Sequence, residues 1–247
     1  MATESIIPVL IASHKRADKI TTHKKVSNSI ICIPESQLGE YRERCPDTEI
    51  VCHPDSVIGL SWKRQWMLEY FGDAFHLDDD LSYMKRIYTE SGEKDKLTPD
   101  EIYNVIQSTA FAARQAGVYL FGFNTSGKPF TYSSLAPIQL SGYVNTCAFG
   151  MFTGSKLYFR PEQRFQEDYW ISGLNAYLNR KIWRDNRFYF HFGETWVGSG
   201  GLAEFRNFET LEKILDELQG FFGKDVICVR KKGTINHPYQ MNFKTPF

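Results

Sequence analysis

The sequence predicts an α/β protein built on a mixed, mostly parallel sheet flanked by helices. Three observations carry that reading. Short β-branched apolar runs alternate with polar or helical connections over the first 80 residues, the pattern of strands joined by crossovers. One such run stops abruptly on three consecutive aspartates, Asp78, Asp79 and Asp80. The chain has 247 residues, 42% of them hydrophobic, which is enough for one large core. No internal repeat, low-complexity linker or clean boundary divides it, so residues 1–247 are expected to form a single domain.

The elements follow in order. Residues 6–12 (IIPVLIA) read as a buried strand delivering the polar loop Ser13-His14-Lys15-Arg16. Residues 29–34 (SIICIP) and 49–52 (EIVC) repeat the pattern, each closed by a Pro-containing turn. Gly59 then precedes LSWKRQWMLEYFG, whose Leu60, Trp62, Trp66, Met67 and Tyr70 are spaced to line one face of a helix that Gly72 ends. Residues 74–77 (AFHL) form the strand that meets the aspartates, and 89–98 read as a solvated loop. Thr98-Pro99-Asp100-Glu101 is a capping box with Pro at the first helical position, opening a helix to about Gly117. Short strand-like runs between Gly, Ser and Pro turns occupy 118–160. A helix is expected over 167–180, a strand over 181–192, and a flexible loop at Gly198-Ser199-Gly200-Gly201. Residues 208–219 (FETLEKILDELQ) form an amphipathic helix and 224–230 the final strand.

Composition narrows the function classes. The 29 basic and 29 acidic side chains cancel, which argues against a nucleic-acid binder whose whole surface is basic but leaves room for a local basic groove. No stretch approaches 18 uninterrupted apolar residues, and the seven-residue run near the start has no basic segment before it. Neither a transmembrane helix nor a signal peptide is expected, and the expected location is cytoplasmic. The five cysteines are scattered, with no C-x-x-C pair for zinc or a disulfide framework; Cys32 and Cys52 read as small buried hydrophobes. Neither G-x-x-x-x-G-K-[ST] nor G-x-G-x-x-G is present, which disfavours P-loop and Rossmann cofactor sites.

The chemistry-bearing residues are few. Three adjacent carboxylates repel one another, so gathering them at a strand end costs stability unless a cation balances them. Hard divalent ions such as Mg²⁺ or Mn²⁺ take carboxylate oxygens and keep positions for substrate phosphates. A solvated acidic turn is the competing reading. His14, Lys15 and Arg16 follow the first strand, and Lys63 and Arg64 begin the helix before the aspartates. Loops after neighbouring parallel strands open on one edge, so these bases are placed to neutralise a diphosphate there. Glu167-Asp168 opens a helix, where a carboxylate serves either as a cap or as a base for a hydroxyl. His191 ends a strand-like run, and alone reads as a core histidine; His237 stands in a polar tail.

In this order (S-H-K-R, then G-L-S-W-K-R, D-D-D, E-D and a His after the next strand) the chain resembles nucleotide-sugar-dependent glycosyltransferases of the GT-A fold over about its first 195 residues. More narrowly, HPDSVIGL-x-x-KRQW, LDDDL, EDYWIS and GGLAEFR resemble the bacteriophage TET-associated glycosyltransferases, which modify hydroxymethylated pyrimidines in DNA and are related to the base J glucosyltransferase. The resemblance implies a UDP-sugar donor, a divalent metal (Mn or Mg) on Asp78 and Asp80 with His191, and Asp168 as the catalytic base, with Glu167 beside it as a catalytic residue. Whether His191 or His237 completes the metal set stays open. It assigns the nucleotide sugar to Ser13, His14, Lys15, Arg16, Lys63, Arg64, Asp78, Asp79 and Arg206, the last with Gly200 and Gly201 in a mobile lid. Residues 1–85 would be the nucleotide-sugar half, 118–200 the acceptor half and 201–247 a lid and helix region. Residues 141–200 hold 15 aromatics in 60, against 37 in 247, and Trp170, Trp183 and Trp196 are acceptor candidates among side chains that mostly read as core. A base favours inversion. A nucleotidyltransferase would carry a Gly-rich first loop, which SHKR lacks, and a modified-DNA or glycan-binding module would need no metal.

Overall fold

The computed structural model describes residues 6–89, 95–163, 165–193, 208–234 and 237–245. Four parallel strands, β1 (Val9–Ala12), β2 (Ser29–Pro34), β3 (Glu49–His53) and β4 (Ala74–Asp78), form one half of a nine-stranded sheet. Its order is β3-β2-β1-β4-β8-β6-β9-β5, completed by β5 (Leu81–Arg86), β6 (Leu120–Asn124), β8 (Ala148–Met151) and β9 (Trp183–Phe192), with β7 (Ile138–Gln139) paired to β9. Strands β1–β4, β6 and β9 share one direction, and β5, β7 and β8 oppose it. The sheet is therefore mixed and mostly parallel, as expected.

Strand alternation sends side chains to two faces. One face, with Val9, Ile11, Phe75, Phe121 and Phe190, packs against α1 (Leu38–Arg44) through Tyr41 and α3 (Pro99–Gln115) through Ile102, Ile106 and Ala113. The other meets α2 (Leu60–Phe71), α4 (Glu167–Leu178) and α5 (Phe208–Phe222), with Met67 on β1 and β2, and Trp170 and Leu215 around Phe149. The capping box of α3 is complete, Thr98 accepting from the Glu101 amide and Glu101 from that of Thr98. Gly72 ends α2 with φ 72°, a left-handed geometry that glycine adopts without Cβ strain.

Four expectations need correction. The apolar stripe faces inward only in part on α2: Met67 is buried and Leu60 and Trp66 pack beside it, but Trp62 and Tyr70 are exposed and Ser61, Lys63 and Arg64 are buried instead. Polar and charged pairing shares the inner face with hydrophobic contact. Strand β5 lies where no strand was expected, because the chain reverses after the aspartates and returns along β9. The expected final strand is the first arm of a hairpin, β10 (Ile227–Thr234) with β11 (His237–Phe243), so His237 begins a strand instead of standing in a polar tail. Cys52 is only half-buried, at the edge strand β3. No helix among the described residues is long and apolar enough to cross a membrane.

Candidate active site

The register of β1 on β4 sets Ala12 beside Asp78, so the loop after β1 and the triple aspartate share one edge of the sheet. The three carboxylates then diverge. Asp79 turns inward: its Oδ2 accepts from Ser13 Oγ at 2.5 Å, its Oδ1 pairs with Arg16 Nε at 3.1 Å, and its backbone carbonyl accepts from the Thr21 and Thr22 amides. Ser13 Oγ lies 2.6 Å from the Tyr41 hydroxyl, which also accepts from the Arg16 amide, so α1 locks the loop in place. Asp78 and Asp80 keep 28% and 34% of their side chains exposed. The buried surroundings, with Asp80 and Glu167 nearby, push the Asp78 carboxyl up to about 7 despite Arg64.

Arg64 is the tie between the two halves of the site. Fully buried, it donates through Nη2 to Asp78 Oδ1 at 2.7 Å and through Nη1 to Glu167 Oε1 at 2.8 Å, while its guanidinium lies 5.2 Å from the centre of the Phe149 ring. The rigid fork of an arginine suits such a two-sided bridge. Glu167 also accepts from Thr146 Oγ1 at 3.1 Å. Lys63 is buried as well, pulled down to about 8 by burial, and its ammonium donates to the Ser13 carbonyl. Lys63 and Arg64 therefore present no charge to an open cleft, contrary to their expected place on the phosphates, and Glu167 is consumed as a scaffold carboxylate. Ser13 and Asp79 are likewise turned toward each other.

Asp168, next to Glu167 in the first turn of α4, remains half-exposed. Its Oδ2 accepts from the Tyr143 hydroxyl and its Oδ1 from the Tyr169 amide at 2.9 Å. Burial first, then the Glu167 charge, raise it to about 6, with both hydrogen bonds and Arg64 opposing. That suits a proton acceptor near neutral pH. Arg16 pairs with Asp80 at 3.4 Å beside the half-buried His14 and the exposed Lys15, whose amide donates to Gln37 Oε1 with φ 53°.

Asp78 and Asp80 supply hard oxygen donors with exposed edges, which fit Mg²⁺ or Mn²⁺ held by two carboxylates and substrate phosphates. His191 does not join them: among the described residues no group of three His, Cys, Asp or Glu side chains is gathered for a metal, and the His191 ring stacks on Tyr83 at 4.7 Å. Trp170 is core, its indole N–H donating to the Tyr158 carbonyl, and Trp183 packs partly buried on the first core. Trp196, Arg206 and the loop with Gly200 and Gly201 lie outside the described residues. Tyr143, Tyr41 and Thr146 were not singled out in the sequence. Only the aromatic enrichment of 141–200 pointed toward Tyr143.

The parallel strands thus end in carboxylates and a basic loop, and α4 opens on the adjacent Glu167 and Asp168. The chain belongs to the TET-associated glycosyltransferase family, whose model matches residues 7–201. No curated protein matches it. Among solved structures, the crystal structure of S. aureus TarS aligns with a TM-score of 0.47 and 10% identity over 87% of this chain, and that of S. aureus TarS 1-349 with 0.46 and 8% over 87%. The alignments cover 39% and 65% of those chains, so this chain spans less than two thirds of either.

Proposed function

We propose that the protein transfers a sugar from a nucleoside-diphosphate sugar, a UDP-sugar in our reading, to the hydroxymethyl group of a pyrimidine in DNA. The observation that supports this reading is the Asp78–Arg64–Glu167 bridge, which ties the turn after β4 to the start of α4, where Asp168 stands; we read that junction as the crevice of the reaction. His14, Lys15 and Arg16 border that crevice and supply positive charge for a diphosphate. A divalent ion on Asp78 and Asp80 would add charge stabilisation for the departing diphosphate. Asp168 takes the proton of the acceptor hydroxyl as its oxygen bonds to the anomeric carbon; the bond from that carbon to the diphosphate breaks, and the nucleoside diphosphate leaves with the electron pair. Attack opposite the leaving group inverts the anomeric centre. Tyr143 holds Asp168 in place through its hydroxyl. The family name supports a DNA acceptor, and five free thiols fit a reducing cytoplasm.

The test is a panel of radiolabelled nucleotide sugars offered with hydroxymethylated and plain DNA. Label is expected in the hydroxymethylated DNA alone and lost in Asp80→Ala, with the melting temperature retained. Wild-type turnover by Asp80→Ala, with divalent ions chelated, would overturn the site.

A further inference from the structure

A strip of lysines and aromatic rings borders the site on the face of β5 and β9 turned away from the first core. Across these strands Tyr83 pairs with His191 and Lys85 with Tyr189, while the alternate residues Met84 and Phe190 are buried. Strand alternation therefore gathers Tyr83, Lys85, Tyr189 and His191 on one face. The Lys96 ammonium lies 4.8 Å from the centre of the Tyr83 ring, and Lys96 bridges to Lys85, setting two like charges side by side. The loop after β6 returns over this face. Gly127 approaches so closely that a Cβ there would sit 2.7 Å from the Tyr189 ring and 3.1 Å from Lys85 Cε, so the tight approach excludes a side chain. The loop carries Lys128, whose ammonium is 5.7 Å from the centre of Phe130, a ring 82% exposed. The strip is continuous with the acids: a Cβ on Gly193, just past β9, would lie 3.3 Å from Asp80 Oδ2.

We propose that this strip is the track of the acceptor, a single-stranded polynucleotide whose phosphates meet Lys85, Lys96 and Lys128 and whose bases stack on Phe130. It rests on the reading of the acceptor as a base in DNA. Positive charge beside the exposed ring of Phe130 matches a polyanion with unpaired bases. A paired base hides its faces, so a duplex would gain only the charge contacts.

Anisotropy of a labelled 12-nucleotide single strand, without nucleotide sugar, tests the track. The wild-type protein is expected to bind it more tightly than the matching duplex. The double variant Lys85→Glu/Lys128→Glu should weaken binding at least about tenfold and flatten the salt dependence by about 1.4 in log–log slope, two phosphate contacts at about 0.7 each. Phe130→Ala, at an exposed position that leaves the core intact, should weaken it about tenfold, and Lys213→Glu on α5 should leave it unchanged. Wild-type affinity in the double variant, or a preference for duplex, overturns the track. Transfer to hydroxymethylated DNA by the wild-type protein is measured separately. If that transfer fails while the strip variants lose the strand, the proposed reaction falls and the track stands; if transfer occurs and the variants bind normally, the track falls alone.

Discussion

At Asp168 two influences oppose each other. Burial and the neighbouring Glu167 raise its carboxyl to about 6, while the Tyr143 hydroxyl and the Tyr169 amide hold the charged form. As a base it works only when ionised, so kcat should fall as pH drops through about 6. Removing the hydroxyl in Tyr143→Phe takes away support for the carboxylate, and the acidic limb of the kcat profile should move to higher pH. An unmoved limb would leave Tyr143 with a merely structural role. Asp168→Asn should lower kcat by about 10²–10⁴-fold with the fold retained. The sequence offered Asp168 as either cap or base; its bond to the Tyr169 amide shows the carboxylate serving the helix start. Glu167 looked the same in sequence, and only Arg64, 103 positions earlier, separates their roles.

Helix α2 shows what a pattern along the chain can and cannot reveal. Its ends were readable, since Gly59 and Gly72 bracket it and Gly72 takes a positive φ. Its inner face was not, because periodicity assigns burial to apolar residues, and here two cations are buried, Arg64 to meet acids on other elements and Lys63 to meet the Ser13 carbonyl. Truncating Arg64 to Leu leaves Asp78 and Glu167 without their shared cation. Urea denaturation should show a loss of about 3–5 kcal/mol, and Arg64→Lys should recover only part of it, as an ammonium cannot reproduce the fork. A loss under 1 kcal/mol would contradict the bridge. The capping box of α3 is the opposite case, local in sequence and found as read; Thr98→Ala should cost about 1 kcal/mol in the same assay. Strand β5 escaped because its stability comes from pairing with β9, more than 100 residues later.

Across the whole molecule, the parallel half of the sheet followed from runs of β-branched residues, whereas the reversed direction of β8 and the C-terminal hairpin depend on partners that local pattern does not name. Acid stability is a property at this scale. His53, fully shielded from solvent, is lowered to about 4 by burial first and then by Lys63, with His14 adding to this and Asp55 and the Pro54 carbonyl opposing. Between pH 6.5 and about 4 the unfolded chain binds the proton that the folded one refuses, so stability present above 6.5 is lost as pH falls, by up to about 1.4 kcal/mol per pH unit. Buried His76, lowered to about 3, acts in the same direction, and the raised Asp78 and Asp168 act against it. His53→Phe should therefore change the slope of stability against pH between 6.5 and 4 by the His53 share alone; parallel curves for the two proteins would refute the assignment. Arg16 has a different consequence. In the resting protein its guanidinium clasps Asp79 and Asp80. On the proposed function, a diphosphate reaching this loop would compete with Asp79 and Asp80 for that same cation. Donor uptake would then be an exchange of anions on one arginine, and Asp80 would be freed for a divalent ion only once the diphosphate had arrived.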